Sequence, residues 1–300
     1  MFQKVFVPVA PLSEIKIPHP AMIIDVHTHL STTSQWGPIF IEAFKRAHTA
    51  YSVDLHVTPQ RHFSAMAGVD HAIVFGINSI SMEMHTPNNA IAKYAAAHSQ
   101  KIIGFMSIDP NDPGAIEELE RCHRQLGLRG IKMSPVYQNY HPCEEKAQRI
   151  HRRAEQLGLP ILTHAAFHSI ASTPMEWANP LLYDPVAREF PNLKIILAHI
   201  GLPWFADAMV MVRKHTNVFA DISPALHRTW MYQALANFQE FGVMDKLMFG
   251  TDFPISNSKQ VLENLRSVNK NIVNTGMPRV HPGLIEELIH RDSLKLLGLT

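Results

Sequence analysis

The segment MIIDVHTHL, Met22 to Leu30, decides how the rest of the chain is interpreted. Apolar residues around Asp25 form a short run typical of a buried β-strand, and the run ends in His27 and His29. Because residues two apart on an extended chain face the same side, both imidazoles are expected to share one ligand. However, 19 histidines in 300 residues would give about one His-x-His pair in a shuffled chain, so the pair needs support from elsewhere.

Further short apolar runs follow, and each is interpreted as a β-strand. They are HAIVFG, KIIGFMSI, LRGIKMS, LPILT, LKIILA, NVFADI and KLMFG. Helical spacing occurs between them, for example in Pro87–Ser99, Pro113–Gly127 and Cys143–Gly158. Strands that alternate with helices predict parallel pairing, and eight such units in about 250 residues match a single (β/α)8 TIM barrel. The alternative, an open doubly wound sheet, would carry a glycine-rich phosphate loop after the first strand, and DVHTHL is not such a loop.

The chain is expected to form one domain over residues 1–300, with residues 1–20 as an N-terminal extension. With 300 residues and 46% hydrophobic composition, it can bury a large core without help from disulfides or structural metals. Two domains would also fit this length, but Pro and Gly are scattered rather than gathered into a linker. The residues between Ser31 and Ala67 form a long insertion after the first strand.

Charge and composition exclude several classes of partner. The 27 basic and 26 acidic residues give a net charge of +1, which is not the footprint of a nucleic-acid or membrane-surface protein. The early apolar run VFVPVAPL is broken by prolines and is too short for a signal sequence, so a cytoplasmic location is expected. Cys122 and Cys143 lack metal-type spacing and are expected to be reduced structural thiols. A small molecule is the expected partner.

Ligand-type residues are concentrated at the carboxyl ends of the predicted strands, where barrel enzymes have their active sites. His27 and His29 follow the first strand, His164 the fifth, His199 the sixth and Asp252 the eighth. A barrel brings these loops together around one opening, so the five side chains are expected to converge on a single divalent ion.

The motifs DVHTHL, RGIKMSP, LPILTHA, NLKIILAHIG and LMFGTDFP occur here in an order that resembles the amidohydrolase superfamily. The resemblance is to the amidohydrolase-related branch, amidohydrolase 2, which includes aminocarboxymuconate semialdehyde decarboxylase and γ-resorcylate decarboxylase. It covers nearly the whole chain from Met22 to Leu299. It implies metal ligation by His27, His29, His164 and Asp252, an acid/base or water-orienting role for His199, and a homo-oligomer.

The same residues account for a reaction. Three imidazoles and one carboxylate suit zinc, or manganese if further oxygen ligands are added. A divalent cation brings the pKa of a bound water from about 15.7 to about 7, and His199 and Asp252 are expected to handle its proton. The prediction is a metal-dependent hydrolase in which this water attacks a carbonyl. The alternative is non-oxidative decarboxylation of an aromatic or enoic acid by the same residues.

Further residues are candidates for substrate binding: Trp36, Lys132, Tyr137, His168 and Trp204. Two further roles are considered for Lys132: it is carboxylated and bridges two metal ions, or it is a cation that contacts an acidic substrate. The aromatic residues of the insertion, with Phe40, Phe44 and Tyr51 beside Trp36, are expected either to shape a pocket for a planar group or to pack a helix on the barrel. The rival class is a non-catalytic, metal-dependent binding module. The presence of His199 and Asp252 argues against it, because a binding module needs no residues that transfer protons. Asp25 is expected to support the site from one step deeper on the face of His27.

Overall fold

The computed structural model describes residues 21–47, 53–225 and 228–300. Tyr51 and the predicted extension 1–20 therefore lie outside the described residues. The barrel strands are β1 (Ile24–His29), β2 (His71–Phe75), β3 (Ile102–Gly104 and Met106–Ser107), β4 (Ile131–Met133), β5 (Ile161–Thr163), β6 (Ile195–Leu197), β7 (Val218–Asp221) and β8 (Leu247–Met248). A separate short hairpin pairs Asn78–Ser79 with Met84–His85. All the predicted strands are present.

The barrel strands pair in parallel and in chain order. β1, β2 and the first part of β3 form one sheet, and the second part of β3 continues through β4 to β8 in another. Three backbone hydrogen bonds join β1 to the segment after β8, one of them from Asp252 N to His27 O at 2.8 Å. Val26 N donates to Phe249 O at 3.0 Å, and His29 N donates to Phe253 O at 2.9 Å. The predicted (β/α)8 barrel is confirmed, and its carboxyl ends gather the expected loops.

Helices connect the strands and cover the outside of the barrel. The described α-helices are Pro38–Ala47, Pro59–Ala65, Asn88–Ala97, Ala115–Arg124, Pro135–Gln138, Glu145–Leu157, Asp184–Glu189, Phe205–Lys214, Arg228–Glu240, Ser258–Arg266, Pro282–Ile289 and Ser293–Leu297. Gly158 ends the helix Glu145–Leu157 in the left-handed conformation (φ 67°), which glycine adopts without a Cβ clash. Helices Pro38–Ala47 and Pro59–Ala65 both belong to the insertion after β1. Among the described residues, no helix is long and apolar enough to cross a bilayer.

The barrel interior below the site is filled by apolar side chains, among them Ile24, Val26 and Phe75. A register irregularity of β1 against β2 lies between Asp25 and Thr28. Ile24 and Val26 pack in the barrel interior, on the side where His27 and His29 lie above them. Strict alternation, which would put these two pairs on opposite faces, does not hold across such a bulge. Asp25 therefore does not share the face of His27, contrary to the prediction from alternation.

Candidate metal centre and active site

Three of the predicted ligands form a compact cluster at the carboxyl end of the barrel. Nε2 of His29 lies 3.0 Å from Oδ1 of Asp252, and Nε2 of His27 lies 3.3 Å from the same oxygen. The ligand atoms of all three residues lie within 4.8 Å of one another. β1 supplies both histidines, and Asp252 follows β8, whose chain hydrogen-bonds to β1 through Asp252 N and His27 O at 2.8 Å. The adjacency of the first and last strands thus assembles the cluster.

The spacing of these atoms suits a divalent cation. Zinc binds imidazole nitrogen and carboxylate oxygen at about 2.0–2.2 Å, so two ligands of a tetrahedral ion lie about 3.3 Å apart. The distances from Asp252 to His29 and His27 are 3.0 and 3.3 Å. The cluster is buried, and burial lowers the pKa of both histidines, which keeps the imidazoles neutral as ligation requires. The residues therefore fit the metal that the sequence predicts.

His27 is oriented by a residue that sequence reasoning did not select. Oδ2 of Asp221, at the end of β7, lies 2.9 Å from Nδ1 of His27, and both side chains are fully buried. Nδ1 is thereby held as the donor, and Nε2 is left for the cluster. Carboxylate–histidine pairs of this kind fix the tautomer and direction of a metal ligand. The signal was the acid in NVFADI, at the same strand-end position as the histidines.

His199 lies beside this cluster, and one of its two ring nitrogens already makes a hydrogen bond to the backbone. Its Nδ1 is 3.0 Å from the carbonyl oxygen of Ser223, which only accepts hydrogen bonds, so Nδ1 carries the proton. The backbone N of His199 donates to Oδ1 of Asp221 at 3.2 Å. Nε2 is then the ring nitrogen left to exchange a proton. The ring of His199 stands 4.8 Å from that of His27 and lines the same cavity.

His164 lines the cavity but is separated from the three clustered ligands. Its Nε2 is 3.0 Å from the carbonyl oxygen of Ala166, and its ring stands 4.9 Å from that of His199. It follows β5, as predicted, and faces the same opening. Its role as a fourth ligand stays a prediction.

The backbone at two of these positions is unusual. His199 and Asp252 both have positive φ, 61° and 54°, which is uncommon for residues with a side chain. Ile200 and Gly201 continue the left-handed turn after His199. Left-handed residues of this kind cost free energy and cluster at functional sites. Here they occur at the predicted acid/base residue and at the predicted carboxylate ligand.

Charge in the site is balanced between Lys132 and Asp252. Lys132 is almost fully buried on β4, with Nζ 3.4 Å from Nε2 of His27 and 4.8 Å from the centre of the Phe75 ring. Burial lowers the pKa of Lys132 to about 8, although Asp252 and Asp221 oppose the shift. Burial also acts to raise the pKa of Asp252, but the neighbouring histidines outweigh it and hold the carboxylate ionised.

The site opens into a cavity of about 280 Å³ with aromatic walls. Trp36 and Phe40 stack at 4.8 Å between ring centres, and Tyr137 meets Phe40 edge-on at 5.7 Å. His168 also lines the cavity, with its Nδ1 3.1 Å from Thr173 Oγ1. The structure thus brings Trp36, Lys132, Tyr137 and His168 to the cavity, and their contact with a substrate stays a prediction.

Trp204 differs from the other substrate-binding candidates. It is the residue before helix Phe205–Lys214 and is not among the described residues that line the cavity. Leu202, two residues earlier, reaches the cavity instead, because the chain turns away into the helix after it. The sequence order could not reveal this change of direction.

Asp25 links β1 to the chain after β8. Its Oδ1 accepts from His27 N at 3.1 Å and from Thr251 N at 3.0 Å, and its Oδ2 accepts from Thr251 Oγ1 at 2.6 Å. Asp25 is fully buried, and burial raises the pKa of its carboxyl to about 7. The carboxyl therefore connects the backbone of one predicted ligand to the segment that precedes another, Asp252.

The family profile described as amidohydrolase matches residues 24–270, which include every residue of the cluster. The chain belongs to the amidohydrolase family. This amidohydrolase is accordingly an enzyme of a metal-dependent superfamily, and the clustered His27, His29 and Asp252 form a candidate metal site within the matched region.

One curated relative is a dihydroorotase of Helicobacter pylori (strain P12), which is 28% identical over 133 residues. That match covers 42% of this chain and 38% of the relative, so the amidohydrolase spans well under half of that protein's length.

Several solved structures share the fold over nearly the whole chain. An uncharacterised TIM-barrel protein from Bordetella bronchiseptica has a TM-score of 0.70 at 19% identity and covers 92% of this chain and 98% of its own. A probable 2-pyrone-4,6-dicarboxylic acid hydrolase from Acinetobacter baumannii, with citric acid bound, has a TM-score of 0.64 at 15% identity, covering 92% and 99%. A dihydroxybenzoic acid decarboxylase from Polaromonas, with manganese and 2-nitroresorcinol, has a TM-score of 0.61 at 16% identity, covering 93% and 97%. At these identities the similarity shows the fold.

Proposed function

We propose that this amidohydrolase is a metal-dependent hydrolase that acts on the carbonyl group of a small molecule. One divalent cation, zinc or manganese, would be held by His27, His29, Asp252 and His164. The observation that carries the proposal is the hydrogen bond between His199 Nδ1 and the backbone oxygen of Ser223. Nδ1 donates to Ser223 O, so Nε2 is the nitrogen left for the reaction, and in the neutral ring it would accept a proton as a general base does.

The bound cation would supply Lewis acidity, which polarises a carbonyl oxygen and makes water more acidic. His199 Nε2 takes the proton from the attacking water. Asp252 is held ionised beside His29 and would orient that water, while His199 would return the proton to the leaving group. Lys132 contributes the positive charge that an acidic group of the substrate would contact. Each residue then acts in the protonation state that its surroundings favour.

The cavity suggests the shape of the substrate. Its volume of about 280 Å³ is near the lower end of the range for small-molecule sites. Trp36, Phe40 and Tyr137 present ring faces and edges at one side, which suits a planar group. We therefore propose esters, lactones or amides with a planar or aryl portion.

The second candidate is non-oxidative decarboxylation of an aromatic or enoic acid. The observation that favours it is the position of Lys132, the single Lys or Arg among the described residues lining the cavity. One cation and one divalent metal beside aromatic walls would suit a monocarboxylate. Decarboxylation would need a proton donor to carbon, and the protonated form of His199 would take that part.

The test begins with metal content. The purified protein, supplied with Zn²⁺ or Mn²⁺, is expected to hold one ion per chain, and the His27→Ala, His29→Ala double variant is expected to lose it. An exposed histidine, His85, gives the matched control, His85→Ala, which should retain the ion. Absence of metal from the unaltered protein would overturn the proposal.

Isotope labelling and CO₂ detection distinguish the two candidate reactions. With aryl ester and lactone substrates in H₂¹⁸O, hydrolysis places ¹⁸O in the product carboxylate, whereas release of CO₂ from aryl acids would establish the second candidate. His199→Asn should abolish turnover while leaving the metal bound. Turnover unchanged in His199→Asn would remove His199 as the general base, whereas metal-loaded protein that turns over none of these substrates would favour a binding module.

A small-molecule partner, a homo-oligomer and a cytoplasmic location complete the proposal. The oligomeric state is testable by light scattering of the purified chain, where a monomer at working concentration would contradict it.

A further inference from the structure

The helix Pro59–Ala65, in the insertion after β1, places one buried histidine behind the metal cluster. His62 is fully buried and makes a hydrogen bond through each ring nitrogen. Its Nε2 lies 2.8 Å from Oγ1 of Thr28, and its Nδ1 lies 2.8 Å from the hydroxyl of Tyr94. Thr28 is the residue between His27 and His29, so His62 contacts the strand at the centre of the metal-binding pair.

The direction of each hydrogen bond follows from the donors available. Oγ1 of Thr28 donates its one proton to the carbonyl oxygen of Ile73 at 2.6 Å, so it must accept from Nε2 of His62. Nδ1 of the neutral ring then accepts from the Tyr94 hydroxyl. Burial lowers the pKa of His62 to about 3, which keeps the ring neutral and both bonds in place. Each donor and acceptor in this series of hydrogen bonds, from Tyr94 through His62 and Thr28 to Ile73, therefore has a partner.

The same ring touches the other side of the cluster. His62 packs edge-on against Phe253, with ring centres 5.9 Å apart, and Phe253 follows Asp252. Phe253 also forms a parallel bridge with Thr28 and accepts from His29 N at 2.9 Å. His62 thus contacts the two residues, Thr28 and Phe253, that adjoin all three clustered ligands.

This position matters because the register of β1 is irregular there. The irregularity between Asp25 and Thr28 turns His27 toward the cluster, and a bulged strand lacks the regular ladder that would hold its direction. Side chains on neighbouring residues of a strand face opposite ways, so a contact to Thr28 acts on the side away from the metal. The hydrogen bond from His62 to Thr28 therefore restrains the strand on the side opposite the metal ligands.

We propose that His62 is a positioning residue for the metal site: through Thr28 and Phe253 it holds the backbone that aims His27, His29 and Asp252. The insertion after β1 then has two tasks, since Trp36 and Phe40 line the cavity while the helix Pro59–Ala65 supports the ligands. This inference rests on the metal site of the proposed function. It adds a residue outside the cavity to the requirements for metal affinity.

The test is the affinity for Zn²⁺ and Mn²⁺, measured by competition with a chelator, with the melting temperature of each metal-free variant recorded beside it. His62→Phe keeps a ring against Phe253 and removes both hydrogen bonds. Thr28→Val removes the hydroxyl and keeps the shape. Both are expected to weaken metal binding by about tenfold, the lower end for residues that support ligands.

Thr28→Ser and His151→Leu are the matched controls. Thr28→Ser restores the hydroxyl and should bind metal within about twofold of the unaltered protein. His151 is an equally buried histidine on helix Glu145–Leu157, away from the cluster, and its replacement should leave the affinity unchanged. If Thr28→Val weakens binding and Thr28→Ser does not, the hydroxyl contact is required and general packing is excluded.

Three results would overturn the inference: His62→Phe with undiminished affinity, Thr28→Ser as weak as Thr28→Val, or His151→Leu with an equal loss. Failure of the proposed function looks different. In that case the unaltered protein binds no metal, or the His27→Ala, His29→Ala double variant retains it, and the inference about His62 falls with the site. Should His62→Phe fail to fold, His62→Leu, which also removes both hydrogen bonds, takes its place in the comparison.

Discussion

Oδ2 of Asp221 lies 2.9 Å from Nδ1 of His27, with both side chains fully buried. Asp221 also accepts from the backbone N of His199 at 3.2 Å and from Ser223 N at 3.0 Å. One carboxylate therefore orients a proposed metal ligand and holds the turn that carries the proposed base. Because both depend on one side chain, disturbing Asp221 should affect metal binding and catalysis together.

Asp221→Ala is expected to weaken metal binding by about 10- to 100-fold, because Nδ1 of His27 loses the acceptor that fixes its tautomer. Isothermal titration with Zn²⁺ measures the change. Asp221→Asn is the matched control, since its amide oxygen can still accept from Nδ1, and it should lose less affinity. Equal affinity in the alanine variant and the unaltered protein would show that His27 needs no partner.

Lys132→Met is expected to leave metal affinity intact and to lower kcat/KM for an acidic substrate by at least about tenfold. Nζ of Lys132 lies 3.4 Å from Nε2 of His27, so removing this charge also removes its repulsion toward a bound cation. Metal content and kinetics are measured on the same preparation. Loss of metal in Lys132→Met would indicate instead that a carboxylated Lys132 is itself a ligand.

Phe40→Ala is expected to lower kcat/KM for substrates with an aryl group, with little effect on substrates of similar reactivity that lack one. Phe40 lines the cavity and stacks on Trp36, and losing such a contact costs roughly 1.5 kcal/mol, or about tenfold. Ile39→Ala, on the same helix and exposed, is the control and should change neither rate. A uniform loss for both substrate types would place the effect in stability rather than in recognition.

His151→Leu is expected to reduce the loss of stability in acid. Burial lowers the pKa of His151 from 6.5 to about 3, and neither ring nitrogen has a hydrogen-bond partner among the described residues. Below pH 6.5 the unfolded chain takes up a proton that the folded chain refuses until about pH 3. The unfolding free energy therefore falls by up to about 1.4 kcal/mol per pH unit in that window.

Urea unfolding of the metal-free protein between pH 7 and pH 4 measures this slope. The slope should be shallower in His151→Leu by the contribution of one proton, and unchanged in His85→Leu, where the histidine is exposed. Identical slopes in all three proteins would mean that His151 is protonated in the folded chain.

The arrangement of elements was predictable because it depends on local patterns. Short apolar runs separated by helical spacing predict the barrel, and its known geometry then selects His27, His29, His164, His199 and Asp252 from their places at strand ends. The structure brings all five to one cavity. Trp36, Lys132, Tyr137 and His168 reach it too, whereas Trp204 does not, because the chain leaves the cavity after Leu202 and enters helix Phe205–Lys214.

The supporting contacts were not predictable in this way. Asp221 and His27 are 194 positions apart, and an acid within an apolar strand looks the same whether it faces a ligand or a backbone amide. No motif or spacing distinguishes His62 from the other histidines of the chain, and its place behind Thr28 depends on how the insertion returns to β1. Asp25 was placed on the wrong face because alternation cannot reveal a bulge.

The sequence by itself determined the fold and the residue types available at the barrel opening, because strand and helix periodicity and strand-end position are properties of short segments. Only the tertiary structure decided which atoms converge, which ring nitrogen of His27 and His199 is free, and which residues hold them there. Those features arise from contacts between distant strands, and their geometry follows from packing and hydrogen-bond donors that no local pattern specifies.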